Sequence, residues 1–167
     1  AVYISSPFFQ NPTGASLSDA SAERLCVLSA KHNFFVFSDE PYGFLSFDSR
    51  NMKTLKQFDK ADSKTSKVVS YHSFSKFMGP GLRLGWIHAS ANVTMKLVND
   101  NVVDSGGGHN PLVSELLHTL LKRGDIDTAL GDLNSLYAKR ARRLIDSLDK
   151  YFGDKVSFEV PNGGYFL

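Results

Sequence analysis

The sequence predicts an α/β chain, a mostly parallel sheet with one antiparallel strand and flanking helices. Three observations lead to it. Short apolar runs at Val2–Ser5 and at residues 34–37, 68–71 and 84–89 read as strands. A helical pattern between the first two makes a strand–helix–strand crossover, right-handed by default. Only residues 72–83 separate the last two, too few for a crossover helix with its loops, so the fourth strand is expected to run antiparallel.

Each element has its own signal. The first run is β-branched and is followed by a Pro/Asn/Gly segment through Gly14, a strand and then a loop. Leu17, Ala22, Leu25 and Leu28 fall on one helical face, with Ser18 as N-cap and Asn33 near the end. The continuous apolar run at 34–37 suggests a strand buried on both faces. Residues 93–103 and 112–121 read as helices split by Gly106, Gly107 and Gly108. Ile126, Leu130, Leu133, Tyr137, Ala141, Leu144, Leu148 and Phe152 recur every three or four residues, the strongest helical pattern in the chain. Residues 156–160 and 164–167 return to strand patterning.

Composition narrows the function classes. Of 167 residues, 42% are hydrophobic and 22% charged, ordinary for a globular domain, and 13 Phe supply core material. Nineteen basic against 17 acidic residues leave a net charge of +2, too small to favour nucleic acid or an anionic membrane. No apolar run reaches the ~20 residues of a membrane span. The single cysteine, Cys26, has no internal disulfide partner, which fits a reducing compartment, here the cytoplasm. The chain opens without Met and closes in mid-strand pattern, so both ends are expected to be cut.

The polar clusters sit where strands end. Asn11-Pro12-Thr13-Gly14 follows the first strand, Asp39-Glu40-Pro41-Tyr42-Gly43 the second and Ser73-Phe74-Ser75-Lys76 the third; Gly79-Pro80-Gly81-Leu82-Arg83 leads into the fourth. Open α/β sheets bind ligands along the carboxyl edge of their parallel strands, so the four segments are expected at one crevice. Serine hydroxyls and an arginine fork suit a phosphate. An unprotonated lysine forms an imine with an aldehyde. An aspartate facing a pyridine nitrogen keeps it protonated and makes the ring an electron sink. Pyridoxal phosphate asks for all of these.

Gln10-Asn11-Pro12-Thr13-Gly14, Asp39-Glu40-Pro41-Tyr42, Ser73-Phe74-Ser75-Lys76 and Pro80-Gly81-Leu82-Arg83-Leu84-Gly85 resemble, in order and spacing, the signature blocks of class I/II aminotransferases. Pro161-Asn162-Gly163-Gly164-Tyr165-Phe166 resembles the strand that opens their small domain. The resemblance covers essentially the whole chain. It implies the large domain of a fold-type I aminotransferase plus the start of an α+β small domain. Residues 1–135 would be the cofactor-binding portion, and 136–167 the interdomain helix and small-domain start. It also implies transamination of an α-amino acid with a 2-oxo acid, and a homodimer.

Residue by residue, the resemblance gives Lys76 the Schiff base and the catalytic proton shuttle. Asp39 would pair with the pyridine nitrogen. Tyr42 and Asn11 would bond the phenolic oxygen, Asn11 also touching substrate carboxylate. Ser73, Ser75 and Arg83 would hold the phosphate. The Asn11–Pro12 bond is often cis in the family. Pro7-Phe8-Phe9-Gln10-Asn11 and Gly106-Gly107-Gly108-His109-Asn110-Pro111 are similar to the branch of 2-aminoadipate and aromatic aminotransferases and aminotransferase-like regulators. His72 stands where relatives commonly carry a small residue. Absent from the sequence are the family's upstream glycine phosphate loop, its ring-stacking aromatic and its late substrate-binding arginine. Two other readings share these motifs: a carbon–sulfur β-lyase, and the non-catalytic effector domain of a transcription regulator.

Other features read as structural. Gly79, Gly81 and Gly85 miss the dinucleotide spacing and lead into a strand. His32, His72, His88, His109 and His118 lack metal-ligand spacing. Lys139, Arg140, Arg142 and Arg143 read as a solvated helix face, and Cys26 and Trp86 as core.

Overall fold

A computed structural model describes residues 1–48, 54–62, 64–104 and 108–167. Strands β1 (Val2–Ser5), β2 (Phe35–Asp39), β3 (Val68–Ser73) and β4 (Gly85–His88) form one sheet in the order β1-β2-β3-β4. β1, β2 and β3 are parallel, and β4 runs antiparallel to β3 with Ser73 opposite Gly85. The short link therefore reverses the chain as expected. Gly85 is needed at that turn, because a Cβ there would run into the His72 backbone carbonyl.

Helix α1 (Asp19–His32) joins β1 to β2. The Ser18 hydroxyl accepts from the Ser21 amide at 3.2 Å, and Asn33 ends the helix in the left-handed region at φ 58°. Its buried stripe is Ala22, Cys26 and Ser29, spaced four and three apart. Leu17 and Leu28, assigned to that face from the sequence, are exposed. Small side chains let the helix lie close to the sheet, and Ser29 Oγ donates to the Phe34 carbonyl at 2.6 Å.

The crossover from β2 to β3 contains a 3₁₀ turn at Leu55–Phe58, preceded by Thr54, whose amide donates to Gln57 Oε1 at 3.0 Å. Val36 and Val68, paired in register, are buried with Ala22, Cys26, Leu45, Leu55 and Leu130 in the main core. Phe35 and Phe37, on the other face of β2, are only half-buried. The expectation of burial on both faces is thus corrected for β2: among the described residues its α1 face is closed and its other face is half-buried. Phe37 stacks on Tyr71 at 5.7 Å across the open face.

Beyond the sheet run α2 (Ala91–Val98), α3 (Asn101–Asp104), α4 (Pro111–Arg123) and α5 (Asp125–Phe152). Two helices were expected across residues 93–121; the first is split in two at Asn99. Gly106 and Gly107, read as part of the helix break, lie outside the described residues. Gly124, at φ 75°, separates α4 from α5. The long helix forms as its periodicity predicts, but only Ile126, Leu130 and Asn134 are buried; Leu144 and Phe152 are exposed. Lys139, Arg140, Arg142 and Arg143 are exposed, as expected of a solvated face. A second core joins Phe74, Leu117 and Ile126 to Phe77, Leu84 and Trp86.

Residues 156–160 and 164–167, expected as strands, form no ladder. A strand exists by pairing, and here the segment meets one bridge, Ser46 to Gly163. Gly164 N donates to Leu45 O at 2.8 Å and Phe47 N to Asn162 O at 2.9 Å. Gly163 is buried so tightly that a Cβ would strike the Leu45 carbonyl and the Phe9 ring.

Candidate active site at the carboxyl edge of the sheet

The parallel strands bring Ser5, Asp39 and Ser73 to one edge of the sheet, and β4 starts there. Beyond Ser73 the chain makes a single 3₁₀ turn, Phe74–Lys76. Two bonds pin its start: Ser73 Oγ accepts from the Ser75 amide at 3.1 Å, and Phe74 N donates to Leu84 O at 3.1 Å. Lys76 is half-buried at the end of the turn, and its Nζ lies 5.4 Å from the centroid of the Tyr42 ring. Among the described residues that amine makes no ion pair.

Tyr42, 8% exposed, is fixed by edge contacts from Tyr165 at 5.6 Å and Phe166 at 5.4 Å. Asp39 ends β2 with an exposed side chain in register with Tyr71. Ser73 and Ser75 are half-buried, and the Ser73 hydroxyl accepts a bond but donates to no described partner. Arg83 is exposed, and its Nη1 donates to the Pro80 carbonyl at 3.2 Å. Its backbone sits at φ 49°, ψ 44°, a left-handed conformation that costs a residue with a Cβ about 1 kcal/mol.

The structure thus joins Lys76 to Tyr42 and Ser73 to Ser75, and the β3–β4 pairing brings Arg83 to the same corner. Asn11 is exposed on the loop after β1, and its bond to Pro12 is cis. Among the described residues no hydrogen bond or ring contact links Asn11 or Asp39 to Lys76.

Sequence reasoning missed two neighbours. Glu40, next to exposed Asp39, is fully buried on the other face, where it accepts from Leu55 N at 3.1 Å and Ser70 Oγ at 2.7 Å. Burial raises its pKa above the ordinary 4.5, outweighing the hydrogen bonds that favour its charge. Strand alternation after Asp39 was the available signal. Tyr165 is the other, with its hydroxyl donating to the Lys76 carbonyl and its ring braced by Tyr137. No local pattern connects positions 89 residues apart. His72, the departure noted in the sequence, stacks on Trp86 at 4.8 Å, and burial lowers its pKa to about 4. Trp86 is part of the second core but only half-buried, whereas Cys26 is fully buried.

A lysine amine on an aromatic face, with a carboxylate, hydroxyls and a guanidinium along one sheet edge, is equipped to hold a phosphorylated carbonyl compound. Comparison with known proteins agrees in kind. The chain is 30% identical over 164 residues to an uncharacterized aminotransferase of Saccharolobus solfataricus, covering 96% of this chain and 39% of the relative. It is 31% identical over 167 residues to the HTH-type transcriptional regulator NorG of Staphylococcus aureus, covering 100% of this chain and 36% of the regulator. The crystal structure of an alpha-aminoadipate aminotransferase from Thermus thermophilus, complexed with N-(5′-phosphopyridoxyl)-L-leucine, superposes with a TM-score of 0.78. That match is 28% identical and covers 95% of this chain and 40% of that one. The chain therefore spans well under half the length of these relatives. The family model for aminotransferase class I and II matches residues 1–167, and the chain belongs to that family.

Proposed function

We propose that this chain forms part of the active site of a pyridoxal-phosphate-dependent aminotransferase, with Lys76 as the covalent anchor and catalytic residue. One observation carries the reading: the Lys76 amine, free of any described ion pair, lies on the Tyr42 ring at the edge where Asp39 and Ser73 end parallel strands. The donor set fits the group. Asp39 is exposed, and the Ser73 hydroxyl has an unspent proton. Arg83 keeps a left-handed backbone where glycine would cost less, a point in favour of its side chain being needed.

Pyridoxal phosphate, when bound, supplies an electron sink for negative charge developing at the substrate Cα. Asp39 would keep a proton on the ring nitrogen, and Tyr42 and Asn11 would hydrogen-bond the phenolic oxygen. Ser73, Ser75 and Arg83 would hold the phosphate through hydroxyl and guanidinium donors. The Lys76 amine would hold the group covalently and would be the base for the proton at the substrate Cα. Asn11 also orients the substrate carboxylate. The substrates are an α-amino acid and a 2-oxo acid, with an aromatic or 2-aminoadipate-like donor preferred. The working unit is a homodimer, and the setting the cytoplasm, in keeping with the lone buried thiol of Cys26. Residues 1–135 act as the cofactor-binding portion and 136–167 as the connection to a smaller domain.

Visible absorption of the complete protein loaded with pyridoxal phosphate tests this. The bound-cofactor band is expected in the native protein and absent in Lys76→Ala; an unchanged band removes Lys76 from the role. A panel of amino donors with a 2-oxo acid then reads transamination directly. Release of pyruvate and ammonia from a cysteine conjugate, without any oxo acid, would make the protein a β-lyase instead.

A second reading, the effector domain of a transcription regulator, is favoured by the 31% identity to such a protein across the whole chain. A DNA-binding segment in the same polypeptide, with no turnover of any donor, decides for it.

A further inference from the structure

The 3₁₀ turn that carries Lys76 has three residues, with the amides of Phe77, Met78 and Gly79 closing on the Phe74 carbonyl. Its start is fixed twice, by Ser73 and by Leu84. At its end the hydroxyl of Tyr165 donates to the Lys76 carbonyl. The Tyr137 hydroxyl, from the first half of α5, donates in turn to that of Tyr165 at 3.5 Å. The Tyr137 and Tyr165 rings meet edge to face at 5.3 Å, and Tyr165 meets Tyr42 at 5.6 Å. Tyr42 is the ring on which the Lys76 amine rests.

We propose that Tyr165 is a positioning residue for Lys76, clamping its carbonyl by hydrogen bond and bracing the ring beneath its amine. Tyr165 thus holds both ends of one residue, the main chain directly and the side chain through Tyr42. Burial raises the pKa of Tyr165, so its hydroxyl keeps the proton that the clamp donates. The segment carrying Tyr165 is itself seated by the Gly164–Leu45 hydrogen bond and the Ser46–Gly163 bridge. The lysine turn, the middle of α5 and the C-terminal segment meet at one phenol. This inference rests on the role proposed above for Lys76.

The test uses the complete protein with Tyr165→Phe, which keeps the ring and removes the hydroxyl. In the cofactor-free protein the amide protons of Phe77 and Met78, at the end of the turn, are expected to exchange about tenfold faster. In the loaded protein the induced circular dichroism of the cofactor is expected to change, and kcat to fall about tenfold with KM within about twofold. Tyr137→Phe is expected to move the same readouts less, because its hydroxyl reaches Lys76 only through Tyr165. Native exchange, dichroism and kcat in Tyr165→Phe, while Lys76→Ala has lost the bound-cofactor band, overturn the clamp and leave the role of Lys76 intact. If Lys76→Ala keeps that band, the role of Lys76 falls, and the exchange rates alone decide the clamp. Should Tyr165→Phe fail to fold, unaltered exchange in Tyr137→Phe overturns it.

Discussion

Two polar groups of side chains meet at the ends of β2 and β3, one beneath the sheet and one along its rim. Beneath, Glu40 is closed in, both oxygens engaged by Leu55 N and one by Ser70 Oγ. Along the rim, Asp39, Ser73, Lys76 and Arg83 are half-buried or exposed, with donors and charges that neighbouring side chains leave open. Adjacent carboxylates, Asp39 and Glu40, belong to different groups because successive strand residues face opposite sides. Polar atoms that satisfy one another hold the fold, whereas those held in place yet unspent are available to a ligand.

Breaking the closed group should cost most. Glu40→Ala would strand the Leu55 amide and the Ser70 hydroxyl and leave a cavity, for a loss of about 3 kcal/mol in denaturant unfolding. A loss within experimental error would mean that the buried group is not what locks the crossover.

A sharper version of the comparison uses pH. Burial holds the folded pKa of Glu40 above its ordinary 4.5. A carboxyl raised in this way contributes stability that is fully present below the unfolded value and lost as the pH rises through the folded one. The stability of the native protein should therefore decline relative to Glu40→Gln as the pH climbs from about 4.5. Parallel pH curves for the two proteins would contradict the raised pKa.

The smallest effect on stability is expected at the rim. Asp39→Ala should change the unfolding free energy of the cofactor-free protein by no more than about 0.5 kcal/mol, as at an exposed site. The same variant should bind pyridoxal phosphate more weakly in equilibrium dialysis. A large stability loss without any change in binding would move Asp39 into the structural group.

Much of this was legible in the sequence, for identifiable reasons. The reversal of β4 follows from chain length alone, since residues 72–83 cannot make a crossover helix and its loops. Ser18 and Asn33 were readable because helix ends are set by local backbone chemistry. Lys76, Asp39 and Arg83 were readable as strand-end polar residues, and the sheet order does put the ends of β1, β2 and β3 on one edge. The buried stripe of α1 was readable in part: Ala22 and Cys26 were, but close approach to the sheet put Ser29 inside and left the larger Leu17 and Leu28 exposed. Nor were the absent ladders at 156–160 and 164–167, since alternation states a preference that only a partner strand can realise. The contact of Tyr165 with Lys76 depends on tertiary docking and leaves no trace in either local segment.

The outer margin of the sheet has a practical consequence. β1 pairs on one side with β2, and Val2, Tyr3 and Ile4 are 60%, 50% and 76% exposed. A greasy ribbon whose outer amides and carbonyls pair with no described strand is a template onto which other polypeptides zip. A fragment cut to these residues would therefore clump by adding strands edge to edge, and its turbidity would obscure any optical signal. Colour and turnover are best measured in a polypeptide whose further residues cover that margin.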